Sequence, residues 1–215
     1  ALSSVTFSDG LKVIGDKAFY GCTALTAAHL PGTLTDIGNY AFYRCTSLAV
    51  LDLGGTTRIG NSAFLGCTAL TSLKIPASLG KIGAQAFRGC TGLTSVIIPE
   101  TLGNVGAHAF YGCRGLTLYI ESATLPEGFN ARWNSSYRPA VYGVKHDGDR
   151  VVSFTYSKDR VENLDGTYRL SDPSSDGYVF AGWATEPDGD AAYTSATVTD
   201  AGDGTVLYAI YTPAG

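Results

Sequence analysis

A twelve-residue phrase recurs five times in this chain of 215 residues, and it restricts the possible folds more than any other feature. The copies are IGDKAFYGCTAL, IGNYAFYRCTSL, IGNSAFLGCTAL, IGAQAFRGCTGL and VGAHAFYGCRGL. They begin at Ile14, Ile37, Ile59, Ile82 and Val105, so the spacings are 23, 22, 23 and 23 residues. A period in this range is typical of a solenoid, in which each repeat is one supersecondary unit stacked on its neighbours.

Each repeat contains two hydrophobic rhythms. Ile37, Ala41, Phe42 and Cys45 fall on one face of a short helix or helical turn. The pattern L-x-x-L-x-I that follows, as in 70–75, ends with the alternation of a short strand. Stacked strands lie about 4.8 Å apart, so equivalent residues form columns. We therefore predict that the fixed letters fill a shared interior and the variable letters point outward.

The solenoid is predicted to span residues 1–143. Residues 2–14 keep the phase of the repeat, which gives six stacked strands. Because the first turn has no polar cap, we expect further repeats or domains before it in the parent protein. The period is lost from about residue 121, and the aromatic segment 125–143 is predicted to form the C-terminal cap. Phe129, Trp133 and Tyr142 would cover the last turn.

Residues 144–215 have no such period and are predicted to form a second, small β-rich domain. They carry a net charge of −7, whereas residues 1–143 carry +3. Val151–Ser157 and Thr205–Thr212 are predicted strands. Three aromatic residues would supply the core of this domain: Tyr178, Phe180 and Trp183. No basic run favours nucleic acid, and no apolar run approaches the roughly 18 residues of a membrane span.

The motif I-G-x-x-A-F-x-x-C-x-x-L-x-x-L-x-I-P resembles the leucine-rich repeat of the BspA-type bacterial surface proteins. In the second domain, G-Y-x-F-x-G-W, T-x-x-x-G and V-L-Y-A-x-Y-T resemble the Listeria–Bacteroides repeat, also called the internalin B-repeat. The first resemblance implies an α/β leucine-rich-repeat solenoid with short parallel strands and short helical turns. The second implies a small, β-rich, grasp-like C-terminal domain. Both imply a location outside a bacterial cell.

The five cysteines form the most conspicuous candidate chemistry: Cys22, Cys45, Cys67, Cys90 and Cys113. They occur once per repeat without a C-x-x-C pair, so zinc and thioredoxin-type sites lack their spacing. Neighbouring cysteines could come near disulfide distance, but stacked side chains point the same way. We therefore expect five buried free thiols that react only after denaturation.

The remaining polar residues assemble no catalytic motif. His29, His108 and His146 share no pattern with a nucleophile or metal ligand, and His29 and His108 are expected to be exposed. The pairs Asp147–Asp149 and Asp188–Asp190, with Asp200 and Asp203, could bind calcium, but D-G is equally a turn signal. We expect no enzyme, no metal and no cofactor.

The outward strand positions offer a better candidate surface. One column comprises Thr6, His29, Asp52, Lys74, Ile97 and Tyr119, and the next comprises Ser4, Ala27, Val50, Ser72, Ser95 and Thr117. Extended solenoid sheets serve as binding surfaces, and exposed aromatic residues are enriched at interfaces. The predicted protein-binding face consists of His29, Asp52, Lys74, Ile97 and Tyr119.

Two functions follow from this sequence. The first is a non-enzymatic, adhesin-like binding protein at the cell surface or secreted. The family resemblance implies host matrix ligands such as fibronectin and fibrinogen. The alternative is a structural spacer that holds another domain away from the cell wall.

Overall fold

The computed structural model of the chain describes residues 2–147, 150–156, 161–162, 170–173 and 177–214. These residues form two compact units. The first unit contains Ala1–Leu93, Pro99–Gly115 and Pro126–Ser136. The second contains Thr94–Ile98, Leu116–Leu125 and Tyr137–Gly215. The domain boundary at residue 143 stays a prediction. Two strand segments of the repeat region, 94–98 and 116–125, belong to the same compact unit as the residues after 143.

The described secondary structure is almost entirely β. The strands are β1 (Val13–Ile14), β2 (Ala27–His29), β3 (Asp36–Ile37), β4 (Val50–Asp52), β5 (Arg58–Ile59), β6 (Leu73–Lys74), β7 (Lys81–Ile82), β8 (Ser95–Ile98), β9 (Asn104–Val105), β10 (Thr117–Ile120), β11 (Ala140–Tyr142), β12 (Lys145–Asp147), β13 (Arg150–Thr155), β14 (Val161–Glu162), β15 (Tyr178–Ala184) and β16 (Val206–Pro213). A short 3-10 helix covers Val198–Asp200. The result is a solenoid of stacked parallel coils followed by a β-rich C-terminal part, as the sequence predicts, and the sheet of the C-terminal part is antiparallel.

The strand predicted in each repeat forms at β2, β4, β6, β8 and β10. Residues 2–7 keep the phase but form no strand, and the N–H of Thr26 reaches the carbonyl of Ser3 at 3.4 Å. A second parallel sheet, which the sequence pattern does not predict, joins β1, β3, β5, β7 and β9 in that order. Each of its strands has only two residues, and each ends at the first letter of the repeated phrase.

The segment predicted as a short helical turn consists of consecutive turns instead. Alternate N–H groups bond to the next coil: Phe42 to the carbonyl of Ala63 at 2.7 Å, and Arg44 to that of Leu65 at 2.8 Å. The intervening groups close local turns, such as Cys45 to the carbonyl of Phe42 at 3.2 Å. About half of the backbone N–H groups in this segment therefore donate to the neighbouring coil. An α-helix cannot do this, because its N–H groups donate to carbonyls within the helix.

The fixed letters fill the interior, as predicted. Ile37, Ala41, Phe42, Cys45 and Leu48 are all buried. The phenylalanines of successive coils stack nearly parallel, with 5.1 Å between the ring centroids of Phe42 and Phe64 and 5.2 Å between Phe64 and Phe87. One column of rings thus ties the coils of the first unit together.

From the second phrase onward, the glycine that follows the first letter marks a close approach between coils. A Cβ atom on Gly60 would lie 2.6 Å from the carbonyl carbon of Gly38, and one on Gly83 would lie 2.5 Å from that of Gly60. A Cβ atom on Gly15, in the first coil, would meet nothing within 4 Å. The glycines therefore set how closely adjacent coils pack.

The predicted cap residues Phe129 and Trp133 are buried and pack edge to face, with 5.1 Å between their ring centroids. The backbone here continues the hydrogen-bond pattern of the coils, because the N–H of Asn130 donates to Val105 and that of His108 to Arg132, both at 2.8 Å. Tyr142 is also buried, on β11.

In the second unit, β8, β10 and β11 lie side by side and parallel, and β14 pairs antiparallel with β11. The antiparallel sheet has the order β12-β13-β16-β15. Its core contains Phe154 and Trp183, whose rings meet edge to face at 5.0 Å. Of the aromatics predicted for this core, Trp183 is buried and Phe180 packs against it, but Tyr178 is 44% exposed.

Candidate binding surface

Three of the five predicted binding residues lie on the solvent-facing side of their strands. His29, Asp52 and Lys74 are exposed, whereas the residues next to them, Ala28 and Leu73, are buried. This alternation places one face of each strand toward solvent and the other toward the core. His29 stands directly beside Asp52 in the parallel register of β2 and β4.

The second predicted column widens this surface. Val50 is 49% exposed, Ser72 is exposed and Ala27 is half-buried. Together with His29, Asp52 and Lys74 they form a face that we call the strand face. Its chemistry combines a carboxylate, an ammonium group and an imidazole with a small apolar area.

Ile97 and Tyr119 do not belong to the exposed surface, so their predicted exposure is wrong. Tyr119 is completely buried in the core of the second unit, and Ile97 is half-buried against the same core. The hydroxyl of Tyr119 donates to the carbonyl of Ser171 at 2.7 Å. Burial raises the pKa of Tyr119 well above its usual value. The phenol therefore acts as a neutral, hydrogen-bonded core group.

The second column is covered at the same two strands. Thr117 is completely buried and Ser95 nearly so. The hydroxyl of Thr117 accepts a hydrogen bond from the N–H of Ser171 at 2.6 Å. Ser171 thus uses both of its backbone polar groups on side chains of β10, which holds this residue against the strand.

The sequence carries a signal of this burial. The outward column is polar at Thr6, His29, Asp52 and Lys74, and it turns apolar at Ile97 and Tyr119. A change from polar to apolar at outward positions indicates covered surface, which can be an interface with a partner or with the same chain. Here the cover comes from the chain itself.

The five cysteines of the repeats are free thiols, and no disulfide joins any of the described residues. Each of four thiols donates to a phenylalanine carbonyl of the preceding repeat, for example Cys67 to Phe42 at 3.3 Å and Cys90 to Phe64 at 3.2 Å. Burial raises the pKa of the Cys45 thiol to about 11, and raises that of Cys90 well above its usual value. Cys22 differs because it is only half-buried, so the prediction that all five thiols are shielded does not hold for the first coil.

The three histidines lie in three different environments. His29 is exposed, as predicted, whereas His108 is half-buried and its Nδ1 lies 2.5 Å from the hydroxyl of Ser135. His146 contacts the carboxylate of Glu121.

Those candidate calcium ligands that the structure describes do not converge on a metal site. Asp149 and its neighbour Gly148 lie outside the described residues. Within the described ranges, no group of three histidine, cysteine, aspartate or glutamate side chains is placed to hold a metal ion.

The second unit has an open groove of about 400 Å³. The guanidinium of Arg150 lies over the rings of Tyr178 and Tyr211, 5.2 and 5.9 Å from their centroids. The other lining residues are Val151, Val152, Pro187, Asp188, Gly189, Ala209 and Ile210. Among the described residues that line this groove there is no serine, cysteine or histidine.

Comparison with protein families decides the classification of the repeats. The BspA type leucine-rich repeat region, in six copies, matches residues 1–127. The chain belongs to this family. The Listeria–Bacteroides repeat domain matches residues 146–210, so the BspA-type solenoid is followed by a second recognised module. No curated protein matches the chain.

Three solved structures resemble the BspA-type solenoid. A leucine-rich repeat protein of T. pallidum is 35% identical with a TM-score of 0.52, and the match covers 54% of this chain and 58% of that one. A leucine-rich cell surface protein of Faecalibacterium prausnitzii is 28% identical with a TM-score of 0.52, covering 61% and 34%. A leucine-rich repeat protein of Bacteroides ovatus is 34% identical with a TM-score of 0.50, covering 59% and 33%. The match therefore spans about a third of two of these proteins and just over half of the other.

No helix among the described residues is long and apolar enough to cross a membrane.

Proposed function

We propose that this chain is a non-enzymatic, adhesin-like binding module of a bacterial surface or secreted protein, and that it binds a protein ligand through the strand face. The main support is the contrast between two parts of the outward columns. On β2, β4 and β6 the first outward column is exposed and polar, at His29, Asp52 and Lys74. On β8 and β10 the outward positions are buried, apart from Ile97, which is half-buried. The binding surface is accordingly confined to the first coils, with His29, Asp52 and Lys74 at its centre.

The size of the face limits what it binds. Three strands about 4.8 Å apart form a strip whose area is smaller than that of a standard interface, which buries roughly 800 Å² on each partner. Thr6 and Ser4 in the preceding coil are exposed and extend the strip. A ligand of ordinary size would cover the strip and reach beyond its edges.

The surface location rests on family membership and on one solved relative that is named a cell surface protein. The non-enzymatic assignment rests on the same families and on the lining of the groove in the second unit. Host matrix proteins remain the first ligands to test because the family resemblance implies them.

The test is a binding assay on immobilised fibronectin and fibrinogen. The variant Asp52→Lys/Lys74→Glu reverses two charges on the strand face and leaves the net charge unchanged. We expect it to weaken binding by about tenfold or more, as for residues central to an interface. The matched control, Asp9→Lys/Lys12→Glu, exchanges two exposed charges elsewhere in the same unit and should bind like the parent chain.

Equal binding by the two variants would remove the strand face as the site. Binding of the parent chain to neither protein would count against host-matrix adhesion and favour the alternative, a structural spacer.

A further inference from the structure

Three tyrosines and an arginine cluster on the turns of the first two coils, outside the strands that carry the proposed function: Tyr20, Tyr40, Tyr43 and Arg44. Lys17 occupies in the first copy of the phrase the position that Tyr40 occupies in the second, and we call the five residues together the tyrosine patch. Tyr20 is 52% exposed and Tyr40 is 39% exposed. These rings do not fill the interior, since the phenylalanine column does that.

The rings hold one another in place. Tyr20 and Tyr43 occupy equivalent positions in adjacent coils and stack with 4.7 Å between their centroids and 11° between their planes. Tyr40 meets Tyr43 edge to face at 5.8 Å. The guanidinium carbon of Arg44 lies 5.4 Å from the centroid of Tyr43. The patch is therefore pre-organised, which lowers the entropy lost when a partner binds.

The backbone beneath the patch carries a local cost. Arg44 has a φ of 54°, at a position where the other four copies of the phrase have glycine: Gly21, Gly66, Gly89 and Gly112. A residue with a side chain costs of order 1–3 kcal/mol in such a conformation. Arginine at this one position is unfavourable for folding and favourable for placing a cation beside Tyr43.

The charge of the patch is not neutralised by the chain in the part that the structure describes. The ion pairs there join Arg58 to Asp36, His146 to Glu121 and Arg150 to Asp147, and they include neither Lys17 nor Arg44. The carboxylate nearest in sequence, Asp16, accepts hydrogen bonds from the backbone and side chain of Asn39. The patch is thus aromatic with an excess of positive charge.

This chemistry favours a protein partner over a sugar. Tyrosine and arginine are the residues that most often dominate protein interfaces. Tyr43 is half-buried, and its ring contacts Tyr20, Tyr40 and Arg44, so the Tyr43 ring offers a sugar no flat open platform. The ring edges and hydroxyls of Tyr20 and Tyr40 point to contacts with a polypeptide.

We propose that the tyrosine patch is a second binding site, which takes an acidic segment of a partner protein. The site is independent of the strand face, because it uses other residues of the same coils.

The probe is a phage-displayed random-peptide library, selected on the full chain, followed by fluorescence anisotropy with the selected synthetic peptides. We expect the selected peptides to be enriched in aspartate and glutamate. The variant Tyr40→Ser/Tyr43→Leu/Arg44→Gly gives the second coil the letters of the third, where Ser62, Leu65 and Gly66 stand. It should weaken peptide binding by at least about tenfold.

Two further variants separate binding from stability. Arg44→Gly alone installs the residue of the other four copies, so it should keep or raise the thermal midpoint while it weakens binding. Tyr111→Leu removes an exposed tyrosine from the equivalent position of the fifth copy, outside the patch, and should leave peptide affinity unchanged.

The proposal is overturned if no acidic peptides are enriched, or if the triple variant and Arg44→Gly bind them as the parent chain does. It is also overturned if the patch residues control binding on a glycan array, or self-association in sedimentation, in place of peptide binding. Those outcomes would assign the patch to a sugar or to a second copy of this chain.

Discussion

Adding one methyl group between two coils tests how closely the coils pack. In Gly83→Ala, the new Cβ atom would lie 2.5 Å from the carbonyl carbon of Gly60 and 2.7 Å from the backbone nitrogen of Asn61. Ordinary contacts begin near 3.4 Å, so the coils would have to separate by the difference between 3.4 and 2.5 Å, which is 0.9 Å. Backbone atoms cannot move aside as a flexible side chain does. The hydrogen bond from the N–H of Gly83 to the carbonyl of Ile59, now 2.9 Å long, would be strained by the same movement.

Overpacking of this kind costs about 1–3 kcal/mol, and the rigid obstacle favours the upper end of that range. The matched control is Gly15→Ala, at the same position of the phrase in the first coil, where the methyl group meets nothing within 4 Å. There the loss of conformational freedom in the unfolded chain should stabilise the protein by about 0.4–1 kcal/mol. The two substitutions are therefore expected to act in opposite directions.

The assay is urea unfolding followed by far-ultraviolet circular dichroism, with both variants compared with the parent chain. A lower midpoint for Gly83→Ala and an unchanged or higher one for Gly15→Ala are the expected results. Equal midpoints for the two variants would refute the reasoning, because the two glycines hold the same position in the phrase and only Gly83 has a coil packed against it.

Three other predictions follow from particular contacts. At about pH 8 a thiol reagent should modify Cys22 in the native protein and should modify the other four cysteines only after denaturant is added. Burial keeps thiols such as Cys45, with a pKa of about 11, in the unreactive protonated form. Rapid modification of all five cysteines would contradict this. Tyr119→Phe removes the hydroxyl that bonds to Ser171 and should cost about 1 kcal/mol in urea unfolding monitored by tryptophan fluorescence, to which Trp183 in the same core contributes. An unchanged midpoint would mean that the hydroxyl is solvated. Hydrogen bonds from Arg58, which has the larger effect, and from Thr35 lower the pKa of Asp36 below its ordinary 3.8. These bonds therefore stabilise the folded protein above pH 3.8, and the stabilisation is lost as the pH falls through the lowered pKa. Asp36→Asn should consequently lose less stability than the parent chain on acidification, and parallel pH profiles would argue against the pair.

The interior of the solenoid could be predicted from sequence because a fixed period forces equivalent residues to occupy equivalent places. Phe42, Phe64 and Phe87 recur at that period, and they stack. The turns could not be predicted in the same way. The apolar spacing of Ile37, Ala41 and Phe42 suits a helix, but the segment bonds to the next coil, and spacing within one repeat contains no information on bonds between repeats.

The sequence predicts only part of the strand face correctly. Alternation along the strands identifies His29, Asp52 and Lys74 as outward-facing, because strand side chains point to opposite faces in turn. It identifies Tyr119 as outward-facing by the same logic, and there the deduction of exposure fails. Tyr119 lies under residues more than fifty positions later in the chain, and no repeat pattern connects them. The close packing of Gly60 on Gly38 cannot be read from the pattern either, because a glycine within one repeat is most readily explained by a turn.

Hydroxyl-radical footprinting of the native chain, with the oxidised residues identified by mass spectrometry, tests the central claim most directly. The claim is that stacked coils share one interior and that the chain itself covers the last two strand faces. It predicts that Phe42, Phe64, Phe87 and Tyr119 are protected, while Tyr20 and Tyr137, which are 52% and 63% exposed, are oxidised. Oxidation of Phe64 and Tyr119 as fast as that of Tyr137 would contradict both the shared interior and the covered face.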